Sequence, residues 1–385
     1  MKFFYYLMGV IAKKRNILFV MPVKEQKEIL DGYGSAKDTI ERAYYQYKCQ
    51  MRLYGRVSWF IFNFCSMFGL IVFYLFLKCQ KKNIKKSSVD AILFLEGKEE
   101  TIVPGSLFKE FRKRINIKDS RISALDKKGW KFYKIIWKRY PFSFYFLFKM
   151  LIKMSIYSGL TSRYNSKALI VCAEYSFVSP AMTAFCKING VEFINVMHGE
   201  KLFCIRDAYA NFDRFYVWDK EYADLFISLN ARPEQFIVEC PAMFRIDREN
   251  SEIKHFCTYY LADESDEELI NIIKCLRFIK SKGKSVAVRV HPRSVNSKHV
   301  QELLKGFVIE DNNNVPIEQS LASTEYAISL YSTVLAQAAQ NRIKVVIDNV
   351  SKPKKYLQLE ELGYVMLKKK PILLSDFLKE RVVSL

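Results

Sequence analysis

The sequence predicts an α/β protein of two domains, each built on a parallel sheet. Three observations lead there. From residue 167 onward, short apolar runs alternate with helix-like segments. The alternation pauses in a looser stretch, ECPAMFRIDRENSEIK (239–254), and then restarts. The chain's 385 residues are ample for two domains, and half of them are apolar. We therefore expect an N-terminal domain over 1–245 and a C-terminal domain over 246–385.

Taken in order, NILFVMPV (16–23) reads as a buried strand leading into turn residues around Asp31-Gly32-Tyr33-Gly34. The preceding segment, MKFFYYLMGVIAKKRN, reads as a domain edge or a surface-seeking segment, since no small-residue cleavage site follows it. Residues 37–56 have helical spacing. Then VSWFIFNFCSMFGLIVFYLFL (57–77) runs uncharged between Arg56 and Lys78, with Lys81, Lys82, Lys85 and Lys86 beyond. Three readings compete: a transmembrane helix, a monotopic helix in a membrane face, and a buried core helix. Spanning would separate the strand before it from everything after it, which argues against the first. The basic, aromatic character continues to residue 155, giving a helical, membrane-facing segment over 57–155. Its apolar runs are long for a nucleic-acid groove and no nucleic-acid motif accompanies them, so no nucleic-acid partner is expected.

In the regular part, KALIVCAE, VEFINVMHG, FDRFYVW, CTYYLAD, SVAVRV, EYAISL and IKVVID read as strands. SPAMTAFCKING, DKEYADLFISLN, SDEELINIIKCLRFIKSKG and YSTVLAQAAQ read as helices. The net charge of +21 favours anionic partners: a membrane surface, a phosphorylated substrate or nucleic acid. Nine cysteines with no C-x-x-C pair supply neither a disulfide framework nor a zinc site, and fit a reducing cytoplasm.

Ligands of open parallel sheets bind beyond the carboxyl ends of strands, and four such loops are unusual. LADESDEE places Ser265 and Glu268 as a capping box, with helix amides that also suit an anion. VAVRVHPR ends a strand in His291-Pro292-Arg293, a positioned imidazole able to donate to a leaving phosphate. SLYSTVLAQAAQ opens a helix with Ser332-Thr333, hydroxyls plus free amides. VPIEQSLAST carries Glu318, a carboxylate suited to ribose hydroxyls. Each has a plainer reading as a cap, a strand end or a turn; together they point to a nucleotide phosphate.

The ordered set His291-Pro292, Pro316-Ile317-Glu318 and Ser332-Thr333 resembles the donor-binding half of bacterial sialyltransferases and polysialyltransferases, over roughly residues 167–350. That resemblance implies a GT-B-like fold, two facing Rossmann-like domains. It implies CMP contacts from His291, phosphate binding by Ser332 and Thr333, and ribose binding by Glu318. The acidic pair before Gly that those families carry is not intact; FLEGKEE offers only Leu95-Glu96-Gly97. Glu174, in CAEYS, and His198 and Glu200, in NVMHGEKLF, are better placed to supply the base. Arg206 and Asp207 are expected on the acceptor side. His198-Gly199 with the later His-Pro is also similar to teichoic-acid polyol-phosphate transferases, although Glu200-Lys201 stands where Thr-Pro is usual.

The expectation is thus an inverting glycosyltransferase without metal or other cofactor, there being no Asp-x-Asp motif. It would use a CMP-linked sialic acid or related nonulosonate and a lipid-linked glycan acceptor of O-antigen or capsule assembly, at the inner face of an anionic cell membrane. The alternatives are CDP-glycerol or CDP-ribitol phosphotransfer, and a membrane-associated polyanion-binding protein.

Overall fold

The structure is a computed structural model and describes residues 17–80, 87–118, 122–247, 251–262, 264–291 and 298–382. Pro292 and Arg293, the segment 1–16 and the lysines at 81–86 lie outside the described residues. The chain divides into two compact units. The first comprises residues 1–198 and 203–242, the second 199–202 and 243–385. Each holds a six-stranded sheet in which every pairing is parallel. The α/β class with two Rossmann-like sheets is therefore what the chain adopts.

The first sheet contains β1 (Ala91–Phe94), β2 (Arg114–Asn116), β3 (Ala168–Val171), β4 (Glu192–Val196), β5 (Arg214–Val217) and β6 (Phe236–Val238). Its order is β2-β1-β3-β4-β5-β6. The order reverses between β1 and β3, which makes that gap the switch point where ligands of doubly wound sheets bind. Both strands are buried throughout, as strands covered on two faces must be. Phe193, Phe215 and Phe226 are among the largest fully buried side chains of this unit.

The second sheet contains β7 (His255–Tyr260), β8 (Val286–Arg289), β9 (Val308–Glu310), β10 (Thr324–Ser329), β11 (Lys344–Ile347) and β12 (Ile372–Leu373), in the order β12-β11-β10-β7-β8-β9. This is the Rossmann order, with its switch point between β7 and β10. One core gathers Cys257 and Tyr259 of β7, Val286 and Val288 of β8, Ile328 of β10 and the inner face of helix Asp266–Ser281.

Three expectations are corrected. The stretch 16–23 is not a strand: Ile17–Phe19 is a short 3-10 turn, and Val23–Tyr33 is an α-helix entered through Pro22. Only Gln26 and Leu30 of that helix are buried, four residues apart on one face, and Gly34 at φ 62° ends it. The stretch 57–155 is not wholly helical, since it supplies β1 and β2. Its last helix, Phe144–Tyr164, is not a surface element: fourteen of its residues are buried, Lys153 among them. Residues 56–79 do form one continuous helix.

Candidate functional site

The carboxyl ends of β1 and β3 bring several titratable groups together. β1 runs into Leu95-Glu96-Gly97, a turn made by Glu96 at φ 50° and Gly97 at φ 87°. The left-handed region costs a non-glycine residue about 1–3 kcal/mol and marks functional turns. Here the turn aims Glu96 at the switch point. Lys153, from the buried helix, lies 2.5 Å from its carboxylate, and the Tyr175 hydroxyl donates to it at 3.2 Å. Burial opposes ionisation of Glu96, but Lys153 and Tyr175 outweigh it and hold the carboxyl below its ordinary range. Burial, reinforced by Glu96 and Glu174, pushes the Tyr175 hydroxyl up.

Glu174, which is fully buried, lies in the loop just after β3, and His198, whose side chain is 15% exposed, lies just after β4. Nδ1 of His198 lies 3.0 Å from Oε1 of Glu174. A carboxylate can only accept, so its place beside Nδ1 favours the tautomer protonated there, which leaves the lone pair on Nε2. The imidazole also packs edge-on against Tyr175, with ring centroids 5.7 Å apart. Asn195 of β4 fixes the other carboxylate oxygen: its amide donates to Oε2 at 3.2 Å while its carbonyl accepts from the Ala173 N–H at 2.7 Å.

The same end of the sheet is tied to helix Thr39–Tyr54. Gln46 donates to the carbonyls of Glu174 and Arg206, each at 3.1 Å. Gln50, one turn on, donates to those of Tyr175 and Arg206. Two buried glutamines thus lash the β3 loop to the 3-10 turn Ile205–Asp207. Within that turn Arg206 forks onto Asp207 at 2.7 and 3.0 Å and sits 5.8 Å from the Tyr175 ring.

The structure therefore gathers Glu174, His198, Arg206 and Asp207 in one place, and adds Glu96, Lys153, Tyr175 and Asn195. Glu200 is assigned to the second unit. Gly199–Leu202 clusters with the second unit, where Tyr331 donates to the Glu200 carbonyl at 3.3 Å.

In the second unit the β7 and β10 ends are tied by Ser329, which donates to the Tyr260 carbonyl at 2.8 Å. Past β10, Ser332 is the N-cap of helix Thr333–Gln340; its hydroxyl oxygen accepts from the Val334 N–H at 3.3 Å, and Thr333 opens the first turn. Accepting leaves the hydroxyl proton available to donate to an anion at the positive end of the helix. Past β7, Ser265 is engaged in a reciprocal capping box with Glu268. Glu264 beside it pairs with Lys352 at 2.7 Å, both side chains almost fully buried. His291, half-buried, follows the end of β8, the strand next to β7. Glu318 lies in the first turn of helix Ile317–Ala322, beyond the edge strand β9. His291, Ser265, Ser332, Thr333 and Glu318 thus all follow carboxyl ends of this sheet, with Ser265 and Ser332 flanking its switch point.

No family model and no curated protein matches the chain. Among solved structures, it is similar to the wall teichoic acid polymerase TagF in its H444N form soaked with CDPG. That match has 11% identity and a TM-score of 0.48, and covers 85% of this chain and 88% of that one. It is also similar to UDP-N-acetylglucosamine 2-epimerase from Rickettsia bellii, at 10% identity and TM-score 0.42, covering 69% and 79%. A third likeness is to the glycotransferase of kitacinnamycin, at 9% identity and TM-score 0.41, covering 73% and 86%. Likenesses at these values assign no activity to this chain.

Proposed function

We propose that the protein is an inverting, metal-independent glycosyltransferase that moves a sugar from a cytidine nucleotide to a glycan acceptor. The observation that carries this is the second unit's switch point. There a hydroxyl-capped helix start follows β10 at Ser332-Thr333, and with the imidazole of His291, after β8 on the far side of β7, it suits a nucleotide phosphate without a cation. The donor is a CMP-linked sialic acid or related nonulosonate, a choice that rests on the sequence resemblance, as does the lipid-linked acceptor. Glu318 is assigned to the ribose.

His198 of the first unit is the base, with Glu174 holding its tautomer. The acceptor hydroxyl oxygen bonds to the anomeric carbon as the carbon–oxygen bond to CMP breaks. The electron pair leaves on the CMP phosphate, and the hydroxyl proton goes to Nε2. Attack opposite the leaving group inverts the centre. His198 is chosen over Glu200 because Glu174 and Asn195 support its imidazole.

The second reading is phosphotransfer from CDP-glycerol or CDP-ribitol. It is favoured by the way Glu174 presents the imidazole of His198-Gly199. The test is release of free CMP from CMP-sialic acid, with and without EDTA, by wild type and His291→Ala. EDTA-insensitive release that collapses in the variant supports the first reading. Turnover of a CDP-polyol with no release from any CMP-sugar supports the second and defeats the first.

A further inference from the structure

The helix Arg56–Cys79 is inside out. Its polar side chains Ser58, Asn63 and Ser66 are buried against the protein, where Asn63 accepts from the backbone N–H of Tyr145 and donates to the Trp59 carbonyl and the Tyr47 hydroxyl. Its outer face is apolar. Phe60 is 62% exposed, Ile71 57%, Val72 67% and Leu75 59%, with Phe64 and Phe68 between them. Large apolar side chains exposed side by side along one helix face mark a contact with another apolar phase.

That face has a charged frame. Beside it lies helix Lys127–Arg139, which contains six Lys or Arg residues and no carboxylate; Lys131, Lys134 and Lys138 are exposed together with Ile135 and Trp137. The two helices meet where Tyr74 and Trp130 pack edge to face at 5.3 Å. The Lys78 ammonium lies 5.2 Å from the Trp130 ring and 5.5 Å from that of Tyr74. The meeting leaves an open groove of about 540 Å³ lined by Leu70, Tyr74, Lys78, Trp130, Lys134 and Trp137.

We propose that this face docks on an anionic lipid bilayer, with helix Arg56–Cys79 lying along the surface and Lys131, Lys134 and Lys138 on the headgroups. Charge selects this occupant. Neither helix bears an acidic residue, so a second copy would bring cations against cations, whereas acidic lipids complement them. Tryptophan, tyrosine and lysine at the rim are the side chains that settle at headgroup depth. Spanning is disfavoured by packing: the helix lies along the buried helix Phe144–Tyr164, and a Cβ on Gly69 would come within 3.1 Å of Phe148. The proposal is independent of the transfer reaction.

The test is co-sedimentation of the full chain with phosphatidylcholine vesicles, with and without phosphatidylglycerol. Binding is expected to the anionic vesicles and at least tenfold less to the neutral ones. A variant with Phe64→Ser, Phe68→Ser, Ile71→Ser and Leu75→Ser should lose binding while keeping its melting temperature, as those side chains face outward. Lys131→Glu, Lys134→Glu and Lys138→Glu together should weaken binding about a hundredfold or more, at roughly tenfold or less per lysine. Three results would overturn the proposal. One is no binding to anionic vesicles, or binding by both variants as strong as that of the wild type. Another is a lipid-free dimer that the serine variant dissociates. The last is tryptophan quenching strongest with lipids brominated at their chain ends, which would mean the helix spans.

Discussion

Nδ1 of His198 lies 3.0 Å from a buried carboxylate oxygen of Glu174, and Asn195 holds the other oxygen. The proximity favours the tautomer in which Nε2 is the basic ring nitrogen. It also separates the two roles of the proposed reaction, in which the carboxylate orients and the imidazole exchanges the proton.

The first prediction follows from that division. His198→Ala should lower kcat for CMP release in the presence of acceptor by about 10²–10⁴-fold, the usual contribution of a positioned base. CMP affinity, measured by calorimetry, should not change. Glu174→Gln should also lower kcat, because an amide can present its N–H to Nδ1 and so favour the tautomer protonated on Nε2. Full kcat in His198→Ala would remove His198 from the chemistry, and full kcat in Glu174→Gln would remove the orienting role of Glu174.

Ser332 has two duties that one pair of substitutions separates. Ser332→Ala removes the cap of helix Thr333–Gln340 and should cost about 1 kcal/mol of stability. It should also weaken CMP binding by about tenfold. Ser332→Asp keeps a capping oxygen, so stability should be preserved, but its charge should repel the phosphate. Thermal melts and CMP titrations of both variants read the two effects independently.

Legibility followed burial. The strands readable in sequence, β3, β4, β5, β7, β8, β10 and β11, are the covered strands, whose apolar runs are continuous. All four edge strands, β2, β6, β9 and β12, escaped; they have two or three residues each, too few to show a period. β1 is internal, but it stands outside the regular alternation, and the charged EGKEE after it hid the strand end that carries Glu96. Glu174 and His198 were legible because an ionisable residue straight after an apolar run is unusual. Lys153 was not: it sits among aromatics in a helix, and only the fold turns it toward β1. Asn195, inside a strand, looked like any polar residue on a sheet.

The Glu96–Lys153 pair predicts a pH dependence. The folded pKa of Glu96 is lowered, so the folded state favours the ionised carboxylate more than the unfolded chain does. The stabilisation is fully present above the ordinary pKa of the carboxyl, 4.5, and is lost as pH falls through the lower folded value. Glu96→Gln should therefore flatten part of the acid limb of a stability-versus-pH curve. Lys153→Met should cost about 1.5–3 kcal/mol at neutral pH, the range for a hydrogen bond to a charged group. The Glu96 side chain is one-third exposed, so solvent keeps that cost at the lower end. Urea melts from neutral to acid pH measure both effects; an unchanged acid limb in Glu96→Gln would show that the pair contributes nothing to the titration.

Lys352 and Glu264 make the complementary case. Their side chains are 3% and 6% exposed, and they pair at 2.7 Å where the loops after β11 and β7 meet. Glu264 also accepts from the Ala262 N–H at 2.9 Å, so it shapes the loop that leads to Ser265. Lys352→Met would strand a buried carboxylate and should cost about 3–5 kcal/mol. The double variant Lys352→Met with Glu264→Leu removes both charges and should recover much of that stability, because neither desolvation cost remains. It still lacks the acceptor for the Ala262 N–H, so the β7 loop should stay loosened. Recovered urea stability with persistently fast amide exchange at Ala262 is the expected result. Full recovery of both would show that the pair serves packing alone and has no part in holding the β7 loop.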